Sequence, residues 1–260
     1  MPRKPRRARP PAEMMRCLAD ETALGRGYYW DRAAARRVTG FIQEHCRHTI
    51  GHKWATQPFR LLPWQSTLLG AVYGWKQPDG YRRFRSVYLE MGKKNGKSTL
   101  LAALLLYHLV ADGEPAPHIF VYARTRQQAS IIWHEARRMV DANPSLGAVI
   151  QYTEYNNRLY SQHNHGLAEI VSRESTIDGL DGQNASCVIG DEIHRQPDDA
   201  LPTLFRGAGI ARSQPLTWEI TTAGEDHTGY WYSRRKLTED ILAGHLPEHL
   251  HHTGAVYRAP

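Results

Sequence analysis

Cysteine is scarce. The 260 residues contain only Cys17, Cys46 and Cys187, with no CxxC spacing. That excludes a disulfide framework, and a sparse odd set suits a reducing compartment, so all three are expected as free thiols. Cys46, His48 and His52 lie close in sequence but lack a second ligand pair, which argues against structural zinc. No apolar run approaches the roughly 18 residues that a membrane helix needs; the longest is Leu100 to Leu106. The N-terminal "MPRKPRRARP" is basic and proline-rich with no apolar segment behind it, unlike a secretory signal. Internal repeats are absent. Acid is also in deficit, with 26 Asp or Glu against 33 Lys or Arg and a pI near 9.4.

A basic excess points to a polyanionic partner. Part of it sits in the first ten residues, which carry five Lys or Arg. This tail reads either as a solvated segment or as a nucleic-acid-binding arm. A hydrophobic content of 41% supplies a sizeable core. Residues 1–12 are expected to be disordered. The stretch 13–54 reads as a helical extension, with Ala35, Val38, Ile42 and Cys46 on one apolar face. From about residue 55 the chain alternates strand and helix. Strands are expected over 86–91, 118–123, 186–192 and 217–224, and helices over 97–112, 125–143 and 230–244, the last stopping at Gly244. "QPFRLLPWQSTLLGAVYGW" reads as a proline-broken entry into a helix. Such alternation predicts an α/β fold, a mainly parallel sheet flanked by helices. Ligands of these sheets bind beyond the carboxyl ends of the strands. Residues 144–185 are turn-rich with no legible pairing, and "HLPEHLHH" reads as a polar surface stretch.

The chemistry concentrates at those strand ends. "VYLEMGKKNGKSTL" is strand, basic turn, then Gly96-Lys97-Ser98-Thr99 opening an apolar run. The usual phosphate loop has a glycine five positions before Gly96; that place is Met91, and Gly92 comes one residue late. The remaining parts are in order, with a lysine for phosphate and a hydroxyl for Mg²⁺ at a helix N-terminus. A basic helix cap is the plainer alternative. "SCVIGDEIH" adds four mostly apolar residues ending in Asp191-Glu192, which suit an Mg²⁺ shell and a water-polarising carboxylate on the strand next to the loop. Alone, an acidic pair at a strand end also serves as a surface cap. "EITTAGED" places Thr221 and Thr222 at another strand end, where they could sense a γ-phosphate. Gln65 in "LLPWQ" could read an adenine edge, with Phe59 or Trp64 against the base.

"FRLLPWQ", "MGKKNGKSTLLAA", "ARTRQQA", "DGLDGQNASCVIGDEIH" and "ARSQPLTWEITTAG" occur in the order seen in large terminase subunits of tailed bacteriophages. The chain resembles their ATPase half over roughly residues 55–257. The shifted "KKNGKS" loop resembles that family's phosphate loop, which lacks the standard first glycine. The resemblance implies a P-loop NTPase of the ASCE/RecA-like class, with residues 1–12 as a tail, 13–54 as an extension and 55–260 as the ATPase domain. It implies that Gly92, Lys93, Lys94, Asn95, Gly96, Lys97, Ser98 and Thr99 bind ATP together with Gln65. Lys93 falls where many members have arginine, and a lysine cannot form the bidentate fork. Ser98 and Asp191 would be magnesium-associated, Glu192 and Lys97 catalytic, and Thr221, Thr222 and Gly224 a coupling element.

As partners the resemblance implies double-stranded DNA, a portal protein and a small terminase subunit. It further implies a homo-oligomeric ring, a pentamer when assembled, at the procapsid portal in the host cytoplasm, with the isolated chain free to remain monomeric. Arg124, Arg126, Arg173, Arg206 and Arg212 are candidates for a transition-state arginine supplied in trans. Full-length members continue into a ribonuclease-H-like nuclease domain, and this chain stops at "GAVYRAP", where a linker would begin. Asp198-Asp199 and Glu225-Asp226 are not read as a nuclease site. Two other readings stay open on residues alone: a helicase or translocase outside packaging, and a DNA-binding scaffold with a vestigial nucleotide site.

Overall fold

A computed structural model describes residues 9–49, 51, 55–172, 183–224 and 228–257. The expected positions His52, Arg173, Glu225, Asp226 and the first eight residues lie outside that set. The chain opens with α1 (Leu18–Gly25), β1 (Tyr29–Trp30), α2 (Arg32–His45), α3 (Pro63–Gly74) and β2 (Trp75–Lys76). It continues through β3 (Ser86–Glu90), α4 (Lys97–Val110), β4 (His118–Ala123), α5 (Arg126–Asp141) and the short α6 (Pro144–Gly147). Then come β5 (Ile150–Thr153), β6 (Arg158–Ser161), β7 (Leu167–Ser172), β8 (Cys187–Asp191) and α7 (Ala200–Ala208). β9 (Leu216–Thr221), α8 (Tyr230–Leu242) and β10 (His252–Val256) close the chain.

Local chemistry sets the helix ends. Asp31 accepts the Ala33 and Ala34 N–H groups at the start of α2, and Thr125 and Gln128 cap α5 reciprocally. Pro63 occupies the first turn of α3, where its missing N–H costs nothing.

Eight strands form one sheet in the order β10-β3-β9-β8-β4-β7-β6-β5. β10 through β7 run parallel, and β5, β6 and β7 form an antiparallel meander. The meander occupies the stretch in which the sequence showed no pairing. Side chains alternate across the sheet, as the strand period of two requires. Val87, Leu89, Ile119, Val121 and Ile189 join α2, α3, α4 and α5 in one core layer, while Tyr88, Phe120, Tyr122 and Val188 meet Phe205 of α7 and Trp231 of α8 in the other. Because α4 lies between α2, α5 and the sheet, nearly all of its residues are buried, which explains a helix that is apolar all round.

Two expectations are corrected by this topology. The acidic strand β8 is not the neighbour of the phosphate-loop strand β3, because β9 lies between them. The histidine-rich stretch is surface only in part: His245, Glu248, His249 and His251 are exposed, whereas Leu250 and His252 are buried, and His252 begins β10, pairing with Ser86 of β3.

His252 belongs to a buried polar cluster that fastens α8 to the sheet. Arg234 donates through Nε to Glu219 Oε2 at 2.6 Å, and Glu219 also accepts from the Tyr230 hydroxyl. Thr238 donates to the Arg234 carbonyl and meets His252 Nε2 at 2.8 Å, so the ring carries its proton on Nε2 and accepts at Nδ1. Burial and the Arg234 charge hold the His252 pKa well below its ordinary value, keeping it neutral. Glu219 is fully buried, so removing its cation leaves an uncompensated charge. Arg234→Met is expected to cost about 3–5 kcal/mol in chemical denaturation, and adding Glu219→Gln should recover much of that loss.

Candidate active site

The phosphate-loop residues follow β3 directly. Lys94 and Gly96 adopt left-handed backbone, with φ of 65° and 76°, and a Cβ on Gly92 would sit 3.1 Å from the Asn95 side-chain nitrogen. Asn95 donates to the Gly92 carbonyl at 3.3 Å, closing the turn. Gly96 is the N-cap of α4 and offers no side-chain acceptor. The first-turn N–H groups of Lys97, Ser98 and Thr99 therefore face outward uncapped behind an exposed glycine turn, a donor set that fits phosphate oxygens. The hydroxyl of Thr99 is turned away from this cradle and reaches Glu135 of α5 at 3.3 Å. Only its backbone is placed for phosphate.

Strands lie about 4.8 Å apart, so β3 and β8 stand about 10 Å from each other across β9. Lys97 spans that gap. Its ammonium donates to Glu192 Oε1 at 2.8 Å, joining residues 95 positions apart. Glu192 follows β8 in left-handed backbone at φ 48°, an uncommon place for glutamate that aims its carboxylate over the end of β9. There Oε2 accepts from the Thr222 hydroxyl at 3.2 Å, while the Thr222 N–H lies 3.4 Å away. Thr221 Oγ1 donates to the Thr222 carbonyl at 2.9 Å and accepts from the His194 N–H at 3.2 Å. His194 Nδ1 lies 2.7 Å from that hydroxyl and 3.2 Å from Glu192 Oε2. The fold thus brings Lys97, Asp191, Glu192, Thr221 and Thr222 to one edge, as the strand ends required. Gly224 approaches Trp231 so closely that a Cβ would come within 2.8 Å of the ring.

Adjacent carboxylates are driven apart in acidity. Asp191 is buried and lies beside Glu192; burial first, then that neighbouring charge, raises its pKa to about 6. Burial also pushes Glu192 upward, but hydrogen bonds from His194 and Lys97 outweigh it and hold Glu192 well below the usual carboxylate range. Asp191 Oδ1 accepts the Glu192 N–H at 2.9 Å. A carboxylate crowded by a second negative charge, within reach of the Lys97 charge, is the hard-oxygen chemistry that suits Mg²⁺.

Beside the loop opens a groove of about 1030 Å³ whose walls include Phe59, Trp64, Gln65, Lys94, Gly96 and Tyr257. Trp64 and Tyr257 rings meet with centroids 5.0 Å apart. Gln65 Oε1 accepts the Leu62 N–H at 2.8 Å, so this amide caps α3 as well as lining the groove. Sequence reasoning missed two members of the site. His194 was visible within "GDEIH", two residues beyond Glu192. Tyr257 carried no local signal, since it reaches the groove only through the pairing of β10 with β3, where its N–H donates to Glu90 O at 2.9 Å. Among the arginine candidates, Arg212 is occupied by the carbonyls of Pro115, Ala116 and Asn184. Arg206 lies over the Tyr230 ring, Arg126 reaches Asn156 O at 3.3 Å, and Arg124 is exposed just after β4.

The raised Asp191 pKa gives a stability test. Its native proton is held more tightly than in the unfolded chain, so the charged form destabilises the fold. That penalty is absent below pH 4, grows between about pH 4 and pH 6, and is complete above pH 6. Asp191→Asn should therefore stabilise the protein at pH 7.5 in divalent-free buffer by on the order of 3 kcal/mol or less. Thermal melts should show the gain vanishing as the pH is lowered to 4; a gain that persists there would refute the cause given.

Residues 63–240 match the family described as the terminase large subunit, ATPase domain. The terminase large subunit of Enterobacteria phage HK97 is 30% identical over 188 residues, covering 72% of this chain and 36% of that protein. That of Lactococcus phage p2 is 25% identical over 217 residues, covering 78% and 38%. The chain therefore spans little more than a third of the length of these relatives. The crystal structure of the HK97 large terminase superposes with a TM-score of 0.72 at 27% identity, covering 87% of this chain and 44% of that one. The large terminase of a thermophilic bacteriophage, in complex with ADP, superposes at 0.50 with 13% identity, covering 66% of this chain and 40% of that one, a likeness of fold. With the match extending over most of its sheet and both halves of the edge just described, this chain belongs to the terminase large-subunit ATPase domain family.

Proposed function

We propose that this chain hydrolyses ATP as the motor of viral DNA packaging, driving double-stranded DNA into a procapsid. The observation that carries the reading is the Lys97–Glu192 contact over the end of β9, with Thr222 on the same carboxylate. One ammonium cannot serve both Glu192 and a phosphate. When ATP occupies the cradle formed by Gly92 to Thr99, Lys97 turns to the phosphate oxygens and gives up the carboxylate. Glu192, freed from the Lys97 ammonium, becomes more basic and is placed to orient a water and take its proton. Thr222, already bonded to Glu192, follows that carboxylate, and Thr221 with His194 passes the change into β9 and the start of α8. Ser98 and Asp191 would hold Mg²⁺, which supplies charge neutralisation at the phosphates when bound. The base lies in the groove against the contacting rings of Trp64 and Tyr257, with Gln65 at its edge.

Residues 55–260 form the ATPase unit in this reading and 13–54 an extension to it. As a motor, the chain works as a ring, a pentamer in our proposal, on the portal protein at the procapsid vertex in the host cytoplasm, with a small terminase subunit delivering DNA. Glu192→Gln should retain ATP binding and lose turnover by about 10²-fold or more, measured as DNA-stimulated phosphate release. Equal hydrolysis by both proteins would remove the catalytic assignment. Lys97→Ala should lose nucleotide affinity in equilibrium titration, and unchanged binding would take the phosphate from this lysine.

A further inference from the structure

The positive charge of the chain is not spread evenly. Residues 1–60 contain 13 Lys or Arg against 5 Asp or Glu, whereas the remaining 200 contain 20 against 21. The entire excess thus precedes the sheet, and the phosphate-loop lysines lie in the nearly neutral part. Some of the early arginines are internal fasteners. Arg16 donates to the Gly254 carbonyl at 2.7 Å, Arg26 pairs with Glu248, and Arg47 binds carbonyls at the end of its own helix. The guanidinium groups of Arg9, Arg32, Arg36 and Arg37 are exposed and make no ion pair or hydrogen bond among the described residues.

Three of these four converge. One face of α2 is buried through Ala34, Ala35, Val38 and Ile42. The adjoining face borders a groove of about 590 Å³ whose rim carries Arg9, Arg32, Arg36, Thr39 and Gln43, with Glu13 as its one acid and Pro11, Met14, Trp30 and Ala35 as its apolar lining. From Arg32 to Gln43 that face extends about 16 Å along the helix, long enough to follow several phosphates of a strand.

We infer that this groove and the outer face of α2 form a track for the phosphate backbone of duplex DNA. The identity of the polyanion rests on the packaging reading; the location does not. An acidic protein would want more than charge. Protein interfaces anchor on large aromatic or aliphatic side chains; here Trp30 and Ala35 are already buried by the fold and Met14 is half-buried, so the guanidiniums are the large side chains that the groove exposes. Flexible guanidiniums beside hydroxyl and amide groups instead suit sequence-independent backbone contact.

The test uses the full chain, a labelled 30-base-pair duplex of about three helical turns, and a salt titration followed by fluorescence anisotropy. Arg9→Gln/Arg32→Gln/Arg36→Gln replaces the three guanidiniums that border the groove and should leave the melting temperature and DNA-free ATP hydrolysis unchanged. Its slope of log K against log salt should fall by about 2–3, at roughly 0.9 for each phosphate no longer neutralised. Deleting residues 1–8 should lower the slope separately while leaving the α2 contribution in place. A wild-type slope in the triple variant would overturn the proposal, as would displacement of DNA by polyglutamate at equal charge, which would mark an acidic protein as the occupant. So would wild-type chain that hydrolyses ATP yet shows no salt-dependent duplex binding, and that result would leave the ATPase reading standing.

Discussion

Everything at the carboxyl edge of this sheet depends on a lysine reaching past one strand to meet a carboxylate on the next. Had β3 and β8 been neighbours, Lys97 and Glu192 would have met with nothing between them. Because β9 intervenes, the contact is made over the end of a third strand, and Thr221 and Thr222 lie directly beneath it. In the proposed cycle, a change in which anion Lys97 holds would be felt directly by a buried central strand. No mobile intermediary is needed. The left-handed backbone at Glu192 is the local cost of aiming the carboxylate there, on the order of 1 kcal/mol or somewhat more.

The helix beyond β9 is held to the same sheet by charge as well as by packing. Arg234 and Arg235 lie next to each other on α8, yet reach Glu219 on β9 and Glu90 at the end of β3 respectively. Glu90 closes the strand that leads into the phosphate loop and also accepts from the Tyr88 hydroxyl at 2.7 Å. These are costly pairs to bury, and an apolar substitute could match them in stability. What an apolar substitute would not provide is direction. Each arginine fork fixes the rotation of α8 against two strands, so the helix moves with them.

Much of this was legible in the sequence because it rests on short-range patterns. The alternation of β3, α4, β4 and α5 followed from apolar runs bounded by turns, and the loop, the acidic pair and the threonine pair each announce a strand end. What was illegible depends on pairing. Strand order put β9 where the sequence reading put β8 beside the loop. β10 was hidden because it opens on the last histidine of a polar run, and the burial of that His252 depends on a neutral ring bonded to Thr238, a state that residue type does not reveal. The β5–β6–β7 meander was equally silent, with strands of four to six residues whose mixed burial gives weak periodicity. Thr99 looked like a phosphate ligand from its position, and the long-range partner that claims its hydroxyl, Glu135, lies on a different helix.

The cap at the start of α3 has a reach beyond that helix. Since Gln65 gives one lone pair to the Leu62 N–H, its amide has a fixed sense, with oxygen toward the helix start and nitrogen free on the other side. Rotating it by half a turn would sacrifice the cap, at about 1 kcal/mol. In the proposed base-reading role, this opposes by roughly fivefold the adjustment by which a glutamine ordinarily tolerates either purine. A base with a donor beside an acceptor matches the fixed amide, and one with the order reversed opposes it. Nucleotide discrimination would then be enforced by the folding free energy of a helix end, set before any ligand arrives.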